Sequence, residues 1–151
     1  MDYRNHVSGI IYCNTQAEIV NEGQKIVVLG AGESGVGTAI LAQQKGFKVF
    51  VSDKGEIKEG YKKVLLNNEI DWEEGNHTLS KIMDADEVVK SPGIPDATQL
   101  IIGLKQKGVS VVSEIEFAAR YTDAKLICIT GSNGKTTTAL MTYHIMSNAG
   151  L

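Results

Sequence analysis

A β-branched run, a turn with three spaced glycines, a helical stretch and a second β-branched run follow one another between Lys25 and Asp53. Lys25-Ile26-Val27-Val28-Leu29 is apolar without alternation, as expected of a strand buried on both faces of a parallel sheet. Gly30-Ala31-Gly32-Glu33-Ser34-Gly35 follows it. Val36 to Lys45 then carries Val36, Ala39 and Ile40 at helical spacing, and Gly46 is a natural stop. Lys48 to Ser52 reads as the second strand, ending at Asp53. Parallel strands need a crossover, and the crossover is right-handed, so this stretch predicts a βαβ unit.

The alternation continues. A helix is expected over Lys58–Asn67 with Val64, Leu65 and Leu66 inward, a short strand over Ile70–Glu74, and a helical turn over Leu79–Met83. Glu87–Lys90 reads as a strand stopped by Ser91-Pro92-Gly93-Ile94-Pro95. A helix follows over Thr98–Lys107 with Leu100, Ile101 and Leu104 inward, then a strand over Val109–Ser113 and a helix over Glu114–Tyr121. Lys125–Ile129 reads as a last apolar strand, leading through a second glycine loop to a helix over Thr137–Asn148. The fold class is therefore α/β: a Rossmann-like open, mostly parallel sheet with helices on both faces. Three segments are expected: an N-terminal extension over 1–24, the Rossmann-like domain over 25–123, and over 124–151 the opening strand, loop and helix of a second domain. One strand and one helix cannot bury a core alone, so that second domain reads as cut short; annexation of its strand by the first sheet is the alternative.

Composition narrows the setting. The chain has 151 residues, 42% hydrophobic and 22% charged, with a formal charge of −3. It is ordinary globular material and gives no general basic field for nucleic acid. No apolar run approaches the ~20 residues that span a bilayer, and the first 23 residues lack the continuous apolar core of a signal peptide. Cys13 and Cys128 are too sparse for a disulfide framework and have no metal spacing, which points to reduced thiols in a cytoplasmic protein. His6, His77 and His144 are scattered without metal spacing, and Trp72 reads as a packing residue.

The two glycine loops carry the chemistry. In the first, Gly30 permits the turn, Gly32 lets a phosphate approach the backbone, Gly35 lets helix and strand pack, and the helix start offers free N–H groups. Asp53 stands about twenty residues past the middle glycine, where a carboxylate can accept from a ribose or a base. The plainer reading is a tight turn with Asp53 as a cap. NAD is the default ligand of such a loop, and Glu33 is unfavourable beside a diphosphate unless it points outward. In the second loop, Thr130-Gly131-Ser132-Asn133-Gly134-Lys135-Thr136, the Gly-Lys-Thr core of an ATP loop is intact, although Ile129 stands where the full pattern wants glycine. Its N–H groups form an anion nest, Lys135 can reach the β- and γ-phosphates, and the Thr136 hydroxyl can ligate Mg²⁺. Pro92 and Pro95 stiffen a loop at a strand end, where open α/β sheets place ligands. Three readings fit: an ATP-dependent ligase acting on a nucleotide-bearing substrate, an NAD-dependent oxidoreductase, and a nucleotide-binding module without catalysis.

Four stretches resemble the Mur ligases of peptidoglycan synthesis: KIVVLGAGESGVG (Lys25–Gly37), SPGIP (Ser91–Pro95), SEIEFAARY (Ser113–Tyr121) and TGSNGKTTT (Thr130–Thr138). SPGIP together with GSNGKTT is similar to the D-glutamate-adding branch; the L-alanine-adding branch usually has histidine where this chain has Asn133. The resemblance implies a first domain for the UDP part of UDP-N-acetylmuramoyl-L-alanine, a central ATP domain, and a third that closes over D-glutamate, in a monomeric enzyme. It implies Gly32, Glu33, Ser34 and Gly35 at the diphosphate, Asp53 and Lys54 at the uridine, and Ser91, Pro92 and Gly93 lining the same cleft. Gly131, Ser132, Asn133, Gly134, Lys135, Thr136 and Thr137 become the ATP loop, with Lys135 and Thr136 catalytic and Thr136 on Mg²⁺. The reaction implied is phosphorylation of the substrate carboxylate by ATP and attack on the acyl phosphate by the amine of D-glutamate. The fragment alone is expected to bind the UDP part and to be inactive. Gly55 stands where the family often has a basic residue, and the leader is longer than usual for it.

Overall fold

The computed structural model describes residues 23–150, so the expectations for the leader, Cys13 and His6 lie outside the described residues. The described residues fall into two compact units, one ending at Thr122 and one starting at Asp123.

The first unit alternates strand and helix: β1 (Lys25–Leu29), α1 (Glu33–Gln44), β2 (Lys48–Ser52), α2 (Glu59–Asn67), β3 (Asp71–Glu73), α3 (Leu79–Ile82), β4 (Glu87–Lys90), α4 (Gln99–Gln106), β5 (Ser110–Ser113) and α5 (Glu114–Ala119). The strands form one five-stranded sheet in the order β3-β2-β1-β4-β5. Every pairing is parallel, with Leu29 opposite Ser52 on one side and Lys90 on the other. The α/β reading holds, and the sheet is wholly rather than mostly parallel.

Side chains of a strand alternate between faces, and β1 shows what its unbroken apolar run does. Ile26 and Val28 join a core with Val36, Ala39 and Ala42 of α1, Leu65 of α2 and Phe117 of α5. Val27 and Leu29 join a second core with Ile82 of α3 and Ile101 and Leu104 of α4. All four β1 side chains are fully buried. Burying such a side chain contributes roughly 1.5–3 kcal/mol, so β1 anchors both layers. Trp72 is half-buried and packs on the first core, as expected. Leu66 was expected inward but is 64% exposed; only Leu65 of α2 is buried, because one helical stripe faces the sheet and Leu66 lies a hundred degrees from Leu65. Leu100 is half-buried beside the fully buried Ile101.

In the second unit the described structure is an irregular segment over 125–130 and then α6 (Lys135–Asn148). The expected strand over Lys125–Ile129 is a correction. The sheet takes no strand from this segment, so annexation fails too, and Leu126 and Ile127 are 37% and 56% exposed. A strand exists only through its pairing, and apolar composition alone cannot supply a neighbour. Cys128 is exposed rather than strand-buried. No α6 side chain is buried, and Leu140, Met141, Tyr143 and Ile145 are 61–73% exposed. No helix among the described residues is long and apolar enough to cross a membrane.

Candidate functional site

Parallel strands all present their carboxyl ends at one edge, and a ligand crevice opens where the strand order reverses. Here that point lies between β1 and β4. The loops after β1, β2, β3 and β4 converge there on a cleft of about 590 Å³, lined by Gly30, Asp53, Lys54, Asn76, His77 and Gly93 together with the start of α4.

Each glycine of the first loop has a separate physical reason. Gly30 has φ +100°, and a Cβ on it would lie 2.5 Å from Ser91 Oγ. A Cβ on Gly35 would overlap the carbonyl oxygen of Gly30. Gly32 faces open space, with nothing within 4 Å of where its Cβ would stand. The outer two glycines are thus demanded by packing, and the middle one leaves room for something to approach. The first bond of the α1 ladder runs from Val36 N–H to Gly32 O at 2.9 Å, so the amides of Glu33, Ser34 and Gly35 precede the ladder. Glu33 and Ser34 are exposed, which lifts the objection to Glu33 as a charge pressed into the loop; Gly35 is buried with its α-carbon against the carbonyl of Gly30.

Asp53 clamps this turn. Its Oδ2 accepts from Ala31 N–H at 2.6 Å and its Oδ1 from Gly55 N–H at 2.8 Å. Each carboxylate oxygen keeps a second acceptor site, so the clamp and a ligand contact are compatible. Gly30 N–H donates to Ser52 O at 2.9 Å, and Ser91 N–H to Leu29 O at 2.9 Å, fixing the loop to both neighbouring strands.

The Ser91–Pro95 stretch turns through Ile94 N–H to Ser91 O at 3.0 Å, with Pro92 at the position where its fixed φ suits a turn. Lys90 Nζ donates to Ile94 O at 3.0 Å. Gly93 lines the cleft, whereas Pro92 is exposed outside it and Ser91 stands behind Gly30. Ser91 Oγ donates to Glu114 Oε1 at 2.5 Å, and Glu114 is only 6% exposed.

Sequence reasoning missed two groups. Glu114 sits in a quoted stretch but drew no role, because nothing in the sequence pairs it with Ser91, 23 positions away. His77 was set aside for lack of metal spacing, and no metal-holding cluster exists among the described residues. Yet His77 lines the cleft, and its Nδ1 lies 2.7 Å from Ser52 Oγ, which donates to Glu73 Oε1 at 2.8 Å. Burial lowers the His77 pKa, Lys54 adds to that, and Asp53 and Glu73 oppose it. For Glu73 burial works against ionisation, but the Thr78 N–H, the Ser52 hydroxyl and the Lys81 charge outweigh it, and its carboxyl titrates below the usual range. The one available signal was position: His77 follows β3 at the carboxyl edge.

The second loop belongs to the other unit. Gly131 and Gly134 have φ +153° and +77°, and Gly134 caps α6. The α6 ladder starts with Thr138 N–H to Gly134 O at 2.9 Å, so the amides of Lys135, Thr136 and Thr137 precede it. Lys135 Nζ folds back over the bend to Gly131 O at 2.6 Å, with Ser132 O at 3.5 Å. Among the described residues, the bend thus holds its own ammonium and no other side chain by hydrogen bond. Residues Gly131 to Thr137 are all exposed, Thr136 included.

A UDP-N-acetylmuramoylalanine–D-glutamate ligase of Bacteroides fragilis is 62% identical over 128 residues, covering 85% of this chain and 29% of that protein. One of Christiangramia forsetii is 58% identical over 129 residues, with 85% and 29% covered. The chain therefore spans under a third of these relatives. Among solved structures, a murein peptide ligase of Psychrobacter arcticus superposes with a TM-score of 0.62 at 26% identity, over 85% of this chain and 27% of that one. A pseudomurein peptide ligase type C of Methanothermus fervidus gives 0.57 at 30% identity, over 85% and 27%. The profile of the MurD N-terminal domain matches residues 25–100, from β1 through the start of α4, and this chain belongs to that family.

Proposed function

We propose that the chain is the nucleotide-substrate part of an ATP-dependent ligase that joins D-glutamate to UDP-N-acetylmuramoyl-L-alanine in the cytoplasm. The observation that carries the reading is the free first turn of α1, opening beside Gly32 at the point where the strand order reverses. Amides at a helix start suit a diphosphate. The Glu33, Ser34 and Gly35 amides hold the diphosphate, Asp53 and Lys54 flank the uridine, and Gly93 lines the opposite wall, carried by the turn that Ser91 and Pro92 shape. The relatives of 58–62% identity carry this activity in their names.

The second loop fits ATP with Mg²⁺. Its two positive-φ glycines, three amides ahead of the ladder and exposed Thr136 hydroxyl are the donors such a group needs. Residues Gly131 to Thr137 cradle the phosphates, and Thr136 ligates the metal. Lys135 is already aimed across the bend and swings from Gly131 O onto phosphate oxygens. Bound ATP supplies the phosphoryl group that activates the substrate carboxylate, and the amine of D-glutamate displaces phosphate. Positioning and charge stabilisation are what these residues contribute. The 151-residue chain binds the UDP part as a monomer and does not turn over.

Calorimetric titration of the chain with UDP-N-acetylmuramoyl-L-alanine, NADH and ATP tests this. Binding of the UDP substrate with no NADH binding is expected. Preference for NADH overturns the proposal in favour of an oxidoreductase.

A further inference from the structure

The Ser52–His77 contact settles where a proton sits. Ser52 is fully buried, and its hydroxyl has one proton and two neighbours: Glu73 Oε1 at 2.8 Å and His77 Nδ1 at 2.7 Å. Ionised Glu73 can only accept, and its Oε1 also takes Thr78 N–H at 2.7 Å. The Ser52 proton therefore goes to Glu73, and Ser52 Oγ must accept from Nδ1–H of His77. A neutral imidazole carries one N–H, so Nε2 is left with a bare lone pair. It has no hydrogen-bond partner among the described residues, on a side chain that lines the cleft. Lys54 and Asn76, both able to donate, line the same cleft.

We propose that His77 is the residue that selects the nucleobase, its Nε2 accepting a hydrogen bond from the imide N3–H of uracil. This rests on the uridine-nucleotide reading of the cleft and deepens it. Uracil offers an N–H between two carbonyl oxygens. An acceptor accompanied by donors from Lys54 and Asn76 complements that edge. Cytosine has a lone pair at N3, which faces the lone pair of Nε2 and is refused. Protonation reverses the preference, because imidazolium presents N–H at both nitrogens. The groups that set that proton are Asp53 and Glu73, which favour it, Lys54, which opposes it, and Lys81, which pairs with Glu73 at 3.5 Å.

The test compares UDP, CDP and 3-methyl-UDP binding to the 151-residue chain near pH 8 and near pH 5.5. The ratio between nucleotides cancels the titration of their shared phosphates. At the higher pH UDP is expected to bind about tenfold more tightly than either analogue, the usual cost of an unpaired or blocked hydrogen bond. At the lower pH the UDP-to-CDP ratio falls as His77 takes up a proton at Nε2. In His77→Leu all three bind within about twofold at both pH values. Equal wild-type affinities for the three, or a tenfold preference that survives His77→Leu, overturns the assignment while leaving the uridine reading intact. Failure of wild type to bind UDP at all overturns both. Imidazole ¹⁵N spectra add a readout that needs no variant: neutral His77 must carry its proton on Nδ1, and a proton on Nε2 refutes the assignment.

Discussion

Two alanine substitutions in the same helix should act with opposite sign. At Gly37 nothing lies within 4 Å of a new Cβ, and the residue is exposed in mid-helix. Gly37→Ala should therefore stabilise the domain by about 0.5–1 kcal/mol through backbone entropy and helix propensity. At Gly35 the same gain meets an obstacle, the main-chain carbonyl of Gly30. That carbonyl cannot retreat cheaply. The Gly30 N–H is tied to Ser52 O at 2.9 Å and the next amide, Ala31 N–H, to Asp53 at 2.6 Å. Overpacking costs about 3 kcal/mol at the upper end of its usual range, against about 1 kcal/mol gained. The net loss for Gly35→Ala is about 2 kcal/mol, and the two variants should differ by about 3 kcal/mol. With an m-value of about 2 kcal/mol per molar urea, their unfolding midpoints separate by about 1.5 M. Urea unfolding followed by far-ultraviolet dichroism reads this directly. If Gly35→Ala is as benign as Gly37→Ala, the argument that the third glycine is a packing glycine fails.

Further outcomes follow from the same geometry. Asp53→Asn leaves one of two clamped amides facing an NH₂ group; it should lower stability by about 1–2 kcal/mol and weaken UDP binding, whereas unchanged urea midpoints would show that the clamp is idle. Arg120 makes a forked pair with Glu87 at 2.7 and 2.9 Å, tying the end of α5 to β4. Arg120→Met should cost about 1–3 kcal/mol in the same assay. His77 titrates below its ordinary value because of burial. The unfolded chain therefore takes its proton first as pH falls, and wild-type stability should drop on going below about pH 6.5; in His77→Leu that part of the drop should be missing. Gly134→Ala forces a side chain to φ +77° and, on the proposed function, should weaken ATP binding in a protein that carries the complete ATP site, at a strain of roughly 1–2 kcal/mol, while UDP-substrate binding stays intact.

Much of this fold could be read from local chemistry. The unbroken apolar run of β1 announced a strand buried on both faces, and the spaced glycines marked a turn in which packing allows no Cβ at Gly30 and Gly35. The start of α1 was placed three residues late, because Glu33 to Gly35 contribute no apolar side chain to the stripe yet already have helical backbone. Lys125–Ile129 misled because β propensity describes a surface, while a strand needs a neighbour. The site divides in the same way. Glycines, Asp53 and the Gly-Lys-Thr loop are local signals. The Ser91–Glu114 and Ser52–His77 contacts are long-range, and no spacing rule anticipates them.

The central claim is that the first turn of α1 and the loops after β2, β3 and β4 hold one uridine nucleotide. Amide-resolved NMR titration of the ¹⁵N-labelled chain with UDP measures it. The Gly32, Glu33, Ser34 and Gly35 amides should shift together with those of Asp53 to Gly55, His77 and Gly93, while the 131–137 loop stays still. Shifts confined to the 131–137 loop, or a first-loop response to NADH but not to UDP, would contradict the account.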